Sequence, residues 1–291
     1  MNQPKTRKAL KRAVAALMTA LLLATGLIPS VSAASGYDFP AGAVPVSVTL
    51  DGREVLPEEA MILHPVTYVP LRSFSELAGA DSISWNAKSA TATVKKGATT
   101  ITVTDGGYTI VASGRYFYTV ERVLNINNRL FVPIRPIAKA FCIDVDWNHT
   151  TRTVELRSTG KTLQSAAAYY NADDLYWLSR IISAESSGES LYGQIAVGNV
   201  VLNRVESRHF PNTVYGVIFD RVGGVQFTPV ALGTIYRSPS ASSVIAAKIC
   251  LEGYSISDEI LFFMNPRIAT SNWISKNRPF AFRIGNHDFY K

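Results

Sequence analysis

A single glutamate stands out at the end of an apolar helical segment. In the stretch DLYWLSRIISAE, Leu175, Leu178 and Ile182 recur at spacings of three and four, and Glu185 follows Ile182 by three residues. This spacing places the carboxyl group on the apolar stripe, on the side of the helix that packs. Burial disfavours the charged form of a carboxyl group and raises its pKa. A carboxylic acid that stays protonated near neutral pH is suited to general acid catalysis.

The two glutamates of this region also have an ordinary structural interpretation. A glutamate on a helix face commonly makes a salt bridge or caps a neighbouring element, and spacing alone does not separate that role from catalysis for Glu185. For Glu189 we expect a cap or an ion pair with Arg204 or Lys248.

The helix that carries Glu185 has predictable ends. Asp173 or Asp174 can act as its N-cap, because a short carboxylate accepts a hydrogen bond from the free backbone N–H groups of a first turn. The SSGES segment after the glutamate is poor helix material, and Gly188 is a natural stop. We therefore expect a groove to open in front of the carboxyl group.

Two further helices are predicted to pack nearby. The segment GQIAVGNVVLNRV carries Gly198, which lets another helix approach closely, and SPSASSVIAAKICLEG begins at Ser240 as N-cap and stops at Gly253. Cys250 in that helix and Cys142 earlier in the chain are expected to be buried thiols that act as small hydrophobic residues.

An internal repeat occupies the N-terminal half. The segment TYVPLRSFSELAGADSISWNAKSATATVKKG, which starts at Thr67, is echoed by LFVPIRPIAKAFCIDVDWNHTTRTVELRS, which starts at Leu130. Each copy predicts a strand, a helix begun by proline, and a hairpin with alternating apolar residues. Two copies of one supersecondary unit are expected to pack together.

The first 33 residues have the pattern of a secretory signal peptide. A basic segment precedes an apolar run, and small residues offer a cleavage site that we place after Ala33; an uncleaved anchor is the alternative. The apolar run is short for a membrane span, so we expect no stable span after cleavage. Removal lowers the formal net charge from +7 to +2, because five Lys and Arg residues and no acidic residue leave with it. We therefore expect no nucleic-acid partner.

Residues 44–158 resemble the copper amine oxidase N-terminal-like domain. The similarity rests on the paired VPLR and VPIR segments and on Trp85 and Trp147, each followed by asparagine. His64 and His149 with one cysteine cannot complete a metal shell, so we expect no copper site and no cofactor. The resemblance implies a folded spacer or a module for attachment to the cell wall.

The remainder of the chain, from residue 173 to 291, resembles the SleB-type cell wall hydrolases, the spore cortex-lytic enzymes. Five blocks occur in the family's order: ESSGE, GQIAV with NRV, QF, FFMNP and IGNHDFY. The resemblance implies a mainly α, lysozyme- or transglycosylase-like domain with a small β element, after an α+β repeat domain of antiparallel strands and short helices. The polar residues 159–172 between the two are predicted to be a linker.

The resemblance implies that Glu185 is the catalytic acid of a peptidoglycan-cleaving enzyme. It would protonate the leaving oxygen of the β-1,4 bond after N-acetylmuramic acid. Glycosidases with two carboxyl groups need a second one, and Glu189 is the nearby candidate, although Gly188 is expected to misalign the pair. We favour the lytic transglycosylase mechanism, in which one glutamate also takes the proton of the sugar's C6 hydroxyl and a 1,6-anhydro product closes without water.

Seven further residues are candidates for substrate binding, because their side chains are polar or aromatic and lie in or near the matching blocks. They are Glu189, Gln194, Gln226, Phe227, Tyr236, Asn265 and His287. Polar groups of this kind can hydrogen-bond to sugars, and the rings can stack on sugar faces. Phe227 has the alternative of a core position, and His287 that of a structural hydrogen bond.

The sequence therefore predicts a secreted hydrolase of the cell wall or spore cortex, with a role in germination and with peptidoglycan glycan strands as its partner. Three alternatives stay open. They are a wall-binding protein whose hydrolase domain has lost activity, an amidase or peptidase, and a repeat domain that is itself the functional part in adhesion or assembly. Dispersed histidines without an HExxH motif argue against a zinc peptidase or amidase.

Overall fold

A computed structural model describes residues 39–291, so the predicted signal peptide lies outside the described residues. Within residues 39–291 every helix is too short or too polar to cross a lipid bilayer.

The repeat region forms short strands and two helices. The strands are β1 (Val44–Pro45), β2 (Val48–Leu50), β3 (Arg53–Val55), β4 (Met61–Leu63), β5 (Val66–Pro70), β6 (Ser82–Asn86), β7 (Thr91–Lys96), β8 (Thr99–Thr104), β9 (Thr109–Ala112), β10 (Arg115–Tyr118), β11 (Leu124–Ile126), β12 (Arg129–Pro133), β13 (Ile143–Asn148) and β14 (Thr153–Ser158). The helices are α1 (Leu71–Leu77) and α2 (Ile134–Ala140). The strands form sheets in the orders β1-β4-β5-β12-β11, β10-β9-β8-β7-β6 and β13-β14-β2-β3.

The predicted repeat is visible in the topology. In each copy a strand leads into a short helix and then into a hairpin, as β5-α1-β6-β7 and β12-α2-β13-β14. The first strands of the two copies pair antiparallel, with Val69 opposite Val132. Pro70 and Pro133 lie one step earlier than expected, as the last strand residues and N-caps of α1 and α2. Proline suits this place because its fixed φ directs the chain from strand to helix.

The C-terminal part is mainly helical with one small sheet, as the sequence predicted. The helices are α3 (Ala166–Tyr169), α4 (Ala172–Ser186), α5 (Leu191–Glu206), α6 (Val214–Ile218), α7 (Thr228–Ala231), α8 (Ala241–Leu251) and α9 (Trp273–Asn277), with a 3₁₀ turn at Thr234–Tyr236. Strands β15 (Phe262–Met264), β16 (Phe280–Ile284) and β17 (His287–Tyr290) form an antiparallel sheet in the order β15-β17-β16. The two-part fold is confirmed.

The expected N-cap of α4 is wrong by two or three residues. Asn171 caps the helix, and its side-chain oxygen accepts a hydrogen bond from the backbone N–H of Asp174 at 3.1 Å. Asp173 and Asp174 lie in the first turn instead. There their negative charges are favourable because of the helix dipole.

Helices α4, α5 and α8 pack closely around Gly198. A Cβ atom at this position would lie 2.7 Å from Cys250 Sγ and 2.8 Å from Ile182 Cδ1, so only glycine fits without a shift. The prediction for Gly198 is confirmed. Neither cysteine forms a disulfide; Cys250 is buried as expected, whereas Cys142 is only half-buried, so the expectation of two buried thiols is wrong for Cys142. This contact fixes α4, and therefore Glu185, against the centre of the domain.

A buried charge cluster joins the repeat region to the helices. Arg115 donates two hydrogen bonds to the carboxylate of Glu252, at 2.7 and 2.8 Å, and the Tyr170 hydroxyl donates a third at 2.8 Å. Lys139 Nζ lies 3.2 Å from the same carboxylate. Burial alone would raise the pKa of Glu252, but the hydrogen bond from Arg115 and the charge of Lys139 hold it below its ordinary value. The segment expected as a linker therefore contains α3 and contributes a buried tyrosine to this contact.

Candidate active site

Glu185 lies in the last turn of α4, where the helix ends one residue later at Ser186. Its side chain continues the stripe of buried Leu178 and Ile182. Burial raises the pKa of Glu185 from 4.5 to about 7. Among residues 39–291 its carboxyl group has no hydrogen bond or ion pair, so no neighbouring cation offsets the loss of hydration. This is the state that a proton donor near neutral pH requires.

The turn that carries Glu185 is fixed on both sides by serine hydroxyls. Ser183 Oγ accepts a hydrogen bond from the backbone N–H of Ser240 at 3.0 Å, which attaches the N-terminus of α8 to α4. Ser186, buried, donates from its hydroxyl to the carbonyl of Ile182 at 2.7 Å. Both contacts hold the last turn of α4 in one position, while the carboxyl group of Glu185 has no partner within the described part of the chain.

Glu189 has partners other than the predicted ones. Its carboxylate accepts a hydrogen bond from Asn286 Nδ2 at 2.9 Å and lies 3.5 Å from His287 Nδ1. The expected ion pair with Arg204 or Lys248 is therefore wrong, because Arg204 donates to the carbonyl of Leu261 and Lys248 to that of Gly114. Glu189 connects the start of α5 to the β16–β17 turn.

Glycine is required in the turn that Glu189 contacts. Gly285 has φ +55°, and a Cβ atom there would overlap the carboxylate of Glu189. His287 is buried at the start of β17, and its ring meets Phe263 edge-on at 5.5 Å between centroids. Burial lowers the pKa of His287, and the charges of Glu189 and Asp288 only partly oppose this. The ring therefore favours the neutral form near pH 7.

The side chain of Gln194 makes hydrogen bonds in the interior of the domain. Its Nε2 donates to the carbonyl of Glu189 at 3.0 Å and to Ser242 Oγ at 3.2 Å, and its Oε1 accepts from Ser243 Oγ at 2.8 Å. The side chain is buried, so it positions the loop after Glu185 by joining it to α8.

Three other predicted residues are not brought to Glu185 by any contact. Gln226 lines a surface hollow of about 340 Å³ with Arg208 and Asp220, and its amide donates to the carbonyl of Val222. Phe227 is buried beside Phe263 and under the guanidinium of Arg204. The side chain of Asn265 accepts from the backbone N–H of Arg267 at 3.0 Å and so stabilises a turn after β15.

Tyr236 is the predicted residue that lies in an exposed cluster of rings. Its ring centroid is 6.2 Å from that of Trp177, on the same helix as Glu185. Trp177 also contacts Tyr176, Tyr215 and Phe219 at 4.8, 5.5 and 5.0 Å. Sequence reasoning missed these residues. The i, i+4 spacing of Tyr215 and Phe219 is the one local signal that could have indicated them.

The arrangement offers acid–base chemistry through a carboxyl group. Within the part of the chain that the structure describes, no group of three or more His, Cys, Asp or Glu side chains is placed to hold a metal ion. A carboxyl group such as that of Glu185 offers proton donation and, after ionisation, proton acceptance.

Comparison with known proteins finds similar families for both parts of the chain. Residues 188–290 match the family described as Cell Wall Hydrolase, and residues 49–156 match the Copper amine oxidase N-terminal domain. The family match begins three residues after Glu185.

Several spore cortex-lytic enzymes are similar to the C-terminal part. That of Bacillus cereus (strain ATCC 14579) is 41% identical over 122 residues, which cover 42% of this chain and 46% of the relative. That of Bacillus subtilis (strain 168) is 40% identical over 120 residues, which cover 41% and 38%. The chain thus spans less than half the length of these curated relatives.

A solved structure is similar over the same part of the chain. It is the catalytic domain of the germination-specific lytic transglycosylase SleB from Bacillus anthracis, at 41% identity and a TM-score of 0.38, covering 42% of this chain and 97% of that one. Residues 49–156 are thus similar to the copper amine oxidase N-terminal domain, and residues 188–290 to the cell wall hydrolase family.

Proposed function

We propose that this protein cleaves the glycan strands of peptidoglycan in the spore cortex or cell wall, as a lytic transglycosylase with one catalytic glutamate. The observation that carries the proposal is Glu185, whose largely buried carboxyl group has no partner among residues 39–291 and has its pKa raised to about 7. The names of the relatives, spore cortex-lytic enzymes, support the substrate. A role in germination is part of the same proposal.

The reaction uses Glu185 twice. As an acid, it gives its proton to the oxygen of the β-1,4 bond as the bond from C1 of N-acetylmuramic acid breaks. The carboxylate left behind then accepts the proton of the C6 hydroxyl, while the C6 oxygen bonds to C1. The proton is returned to Glu185, and the 1,6-anhydro ring closes without water.

The contacts of Glu189 support the assignment of a single catalytic glutamate, because its carboxylate is held by other residues. A second catalytic carboxylate must be free to attack the sugar or to activate a water. The side chain of Glu189 is only 9% exposed, and its oxygens face Asn286 and His287 of the β16–β17 turn. Glu189 is in this proposal a positioning residue.

The repeat domain is proposed to act as a spacer or wall-attachment module, with secretion directed by the N-terminal segment. The buried contact between Arg115 and Glu252 supports a fixed arrangement of this module on the hydrolase domain. Its partner would be the cell wall or spore cortex itself.

Loss of turbidity of purified spore cortex tests the assignment. We expect Glu185→Gln to reduce the rate by at least 10³-fold, since it removes the acid and the base together. Glu189→Gln, the matched control, keeps hydrogen-bonding capacity toward Asn286 and should lose less than 10-fold. Equal losses for the two variants would contradict the single-glutamate mechanism.

A further inference from the structure

An exposed aromatic cluster includes two rings of α4, the helix that carries Glu185, and we name it the Trp177 cluster. Its members are Tyr176, Trp177, Tyr215, Phe219 and Tyr236. Trp177 is the central ring and contacts the other four at 4.8 to 6.2 Å. Tyr215 and Phe219 also stack on one another at 4.4 Å. The cluster joins α4, α6 and the 3₁₀ turn.

The outer rings of the cluster remain open to solvent. Tyr236 is 63% exposed, Tyr215 53% and Tyr176 44%, while Trp177 and Phe219 are half-buried beneath them. Contiguous exposed aromatic surface is unusual unless it binds something. Mutual packing restricts the rings before a ligand arrives, so little side-chain entropy is lost on binding.

The cluster and the proposed acid, Glu185, are separated by a short distance along α4. Trp177 and Glu185 are eight residues apart, which corresponds to about 12 Å along a helix axis. The chain that leaves Tyr236 reaches Ser240 four residues later, and Ser240 donates to Ser183 beside Glu185. The segment between the 3₁₀ turn and α8 therefore runs along α4 from the cluster to the proposed acid.

The positively charged side chain of Arg180 borders the cluster. The guanidinium of Arg180 lies over the ring of Tyr176 at 3.5 Å and donates to the Tyr176 carbonyl at 3.3 Å. Aromatic faces pack against the C–H faces of sugar rings, and a guanidinium pairs with carboxylates. A polymer of sugar rings that bears carboxyl groups has both features.

We propose that the Trp177 cluster is a glycan subsite, distant from the scissile bond, that binds further sugar rings of the strand being cleaved at Glu185. The inference rests on the proposed function. It assigns to Trp177, Tyr215 and Arg180 a role in selecting long strands over short fragments.

The test compares a double variant, Tyr215→Ala with Tyr236→Ala, with the wild-type full chain. Both side chains are more than half exposed, so their loss should not unfold the domain. The substrates are long glycan strands and a tetrasaccharide too short to cover the whole cluster. We expect KM for long strands to rise about tenfold, which corresponds to 1.4 kcal/mol of binding, with kcat changed less than twofold. Preference for long strands should fall by the same factor.

Two controls separate the possible causes. Trp273→Ala removes an exposed ring of the hydrolase domain that lies outside the cluster, and it should leave KM unchanged. Binding of long strands to Glu185→Gln protein, with and without the double substitution, measures the subsite without cleavage. Unchanged KM and unchanged binding would overturn the inference while leaving the proposed function intact. If wild-type protein cleaved neither substrate, the proposed function would fail, and the binding measurement would decide the inference alone.

Discussion

Replacing Glu185 by glutamine should make the protein more stable at pH 8, although the substitution removes the proposed acid. In the folded protein, burial of this carboxyl group raises its pKa from 4.5 to about 7. In the unfolded chain the group ionises near its ordinary value. Between the two values the folded state binds more protons than the unfolded state, so the free energy of unfolding falls as pH rises through this window.

The magnitude follows from the two pKa values. They differ by about 2.5 pH units, and each unit corresponds to 1.36 kcal/mol, so the ionised carboxylate costs about 3 kcal/mol above pH 7. Glutamine has nearly the same shape and no charge to bury. We therefore expect Glu185→Gln to exceed the wild type by about 3 kcal/mol at pH 8 and to equal it at pH 4.

Urea denaturation at the two pH values measures this difference by linear extrapolation. Glu76→Gln, at an exposed glutamate of α1, is the control and should show no such gap between pH 4 and pH 8. If Glu185→Gln were no more stable than the wild type at pH 8, the carboxyl group would be well hydrated or paired. The reasoning that makes it a proton donor would then be refuted.

Three more predictions concern activity and packing. The kcat/KM for cleavage of purified walls should fall about tenfold per pH unit above pH 7, as the proposed acid ionises, and a profile flat to pH 9 would contradict this. Gly198→Ala should lower the free energy of unfolding by about 1–3 kcal/mol, because the new methyl group meets Cys250 and Ile182; equal urea midpoints would disprove that contact. Glu252→Ala should lower the free energy of unfolding by about 3–5 kcal/mol, because Arg115 would stay buried without its partner. A loss below 1 kcal/mol would show that water reaches the Arg115 side chain in the folded protein.

Much of the fold could be predicted from local sequence patterns. Helix periodicity placed Glu185 on the buried side of α4, and the following small residues indicated the helix end, which the structure has at Ser186. The VPLR and VPIR segments indicated the repeat, which appears as the antiparallel pairing of Val69 with Val132. These features depend on residues close in sequence, so spacing and propensity suffice to predict them.

Contacts between distant segments could not be predicted in this way. Glu189 meets Asn286 across 97 residues, and Arg115 meets Glu252 across 137. A charged residue offers several plausible partners, and only the packing of whole elements selects one. The Trp177 cluster was missed for the same reason, since α4, α6 and the 3₁₀ turn each contribute to it.

Mass spectrometry of the fragments released from purified spore cortex and from vegetative sacculi tests the single-glutamate mechanism most directly. We expect the wild-type protein to release fragments that end in 1,6-anhydromuramic acid, lighter by one water than hydrolytic products, and Glu185→Gln to release none. Reducing muramic acid ends would instead mean that a water attacks the sugar. In that case a second carboxyl group, and not Glu185 alone, would carry the reaction.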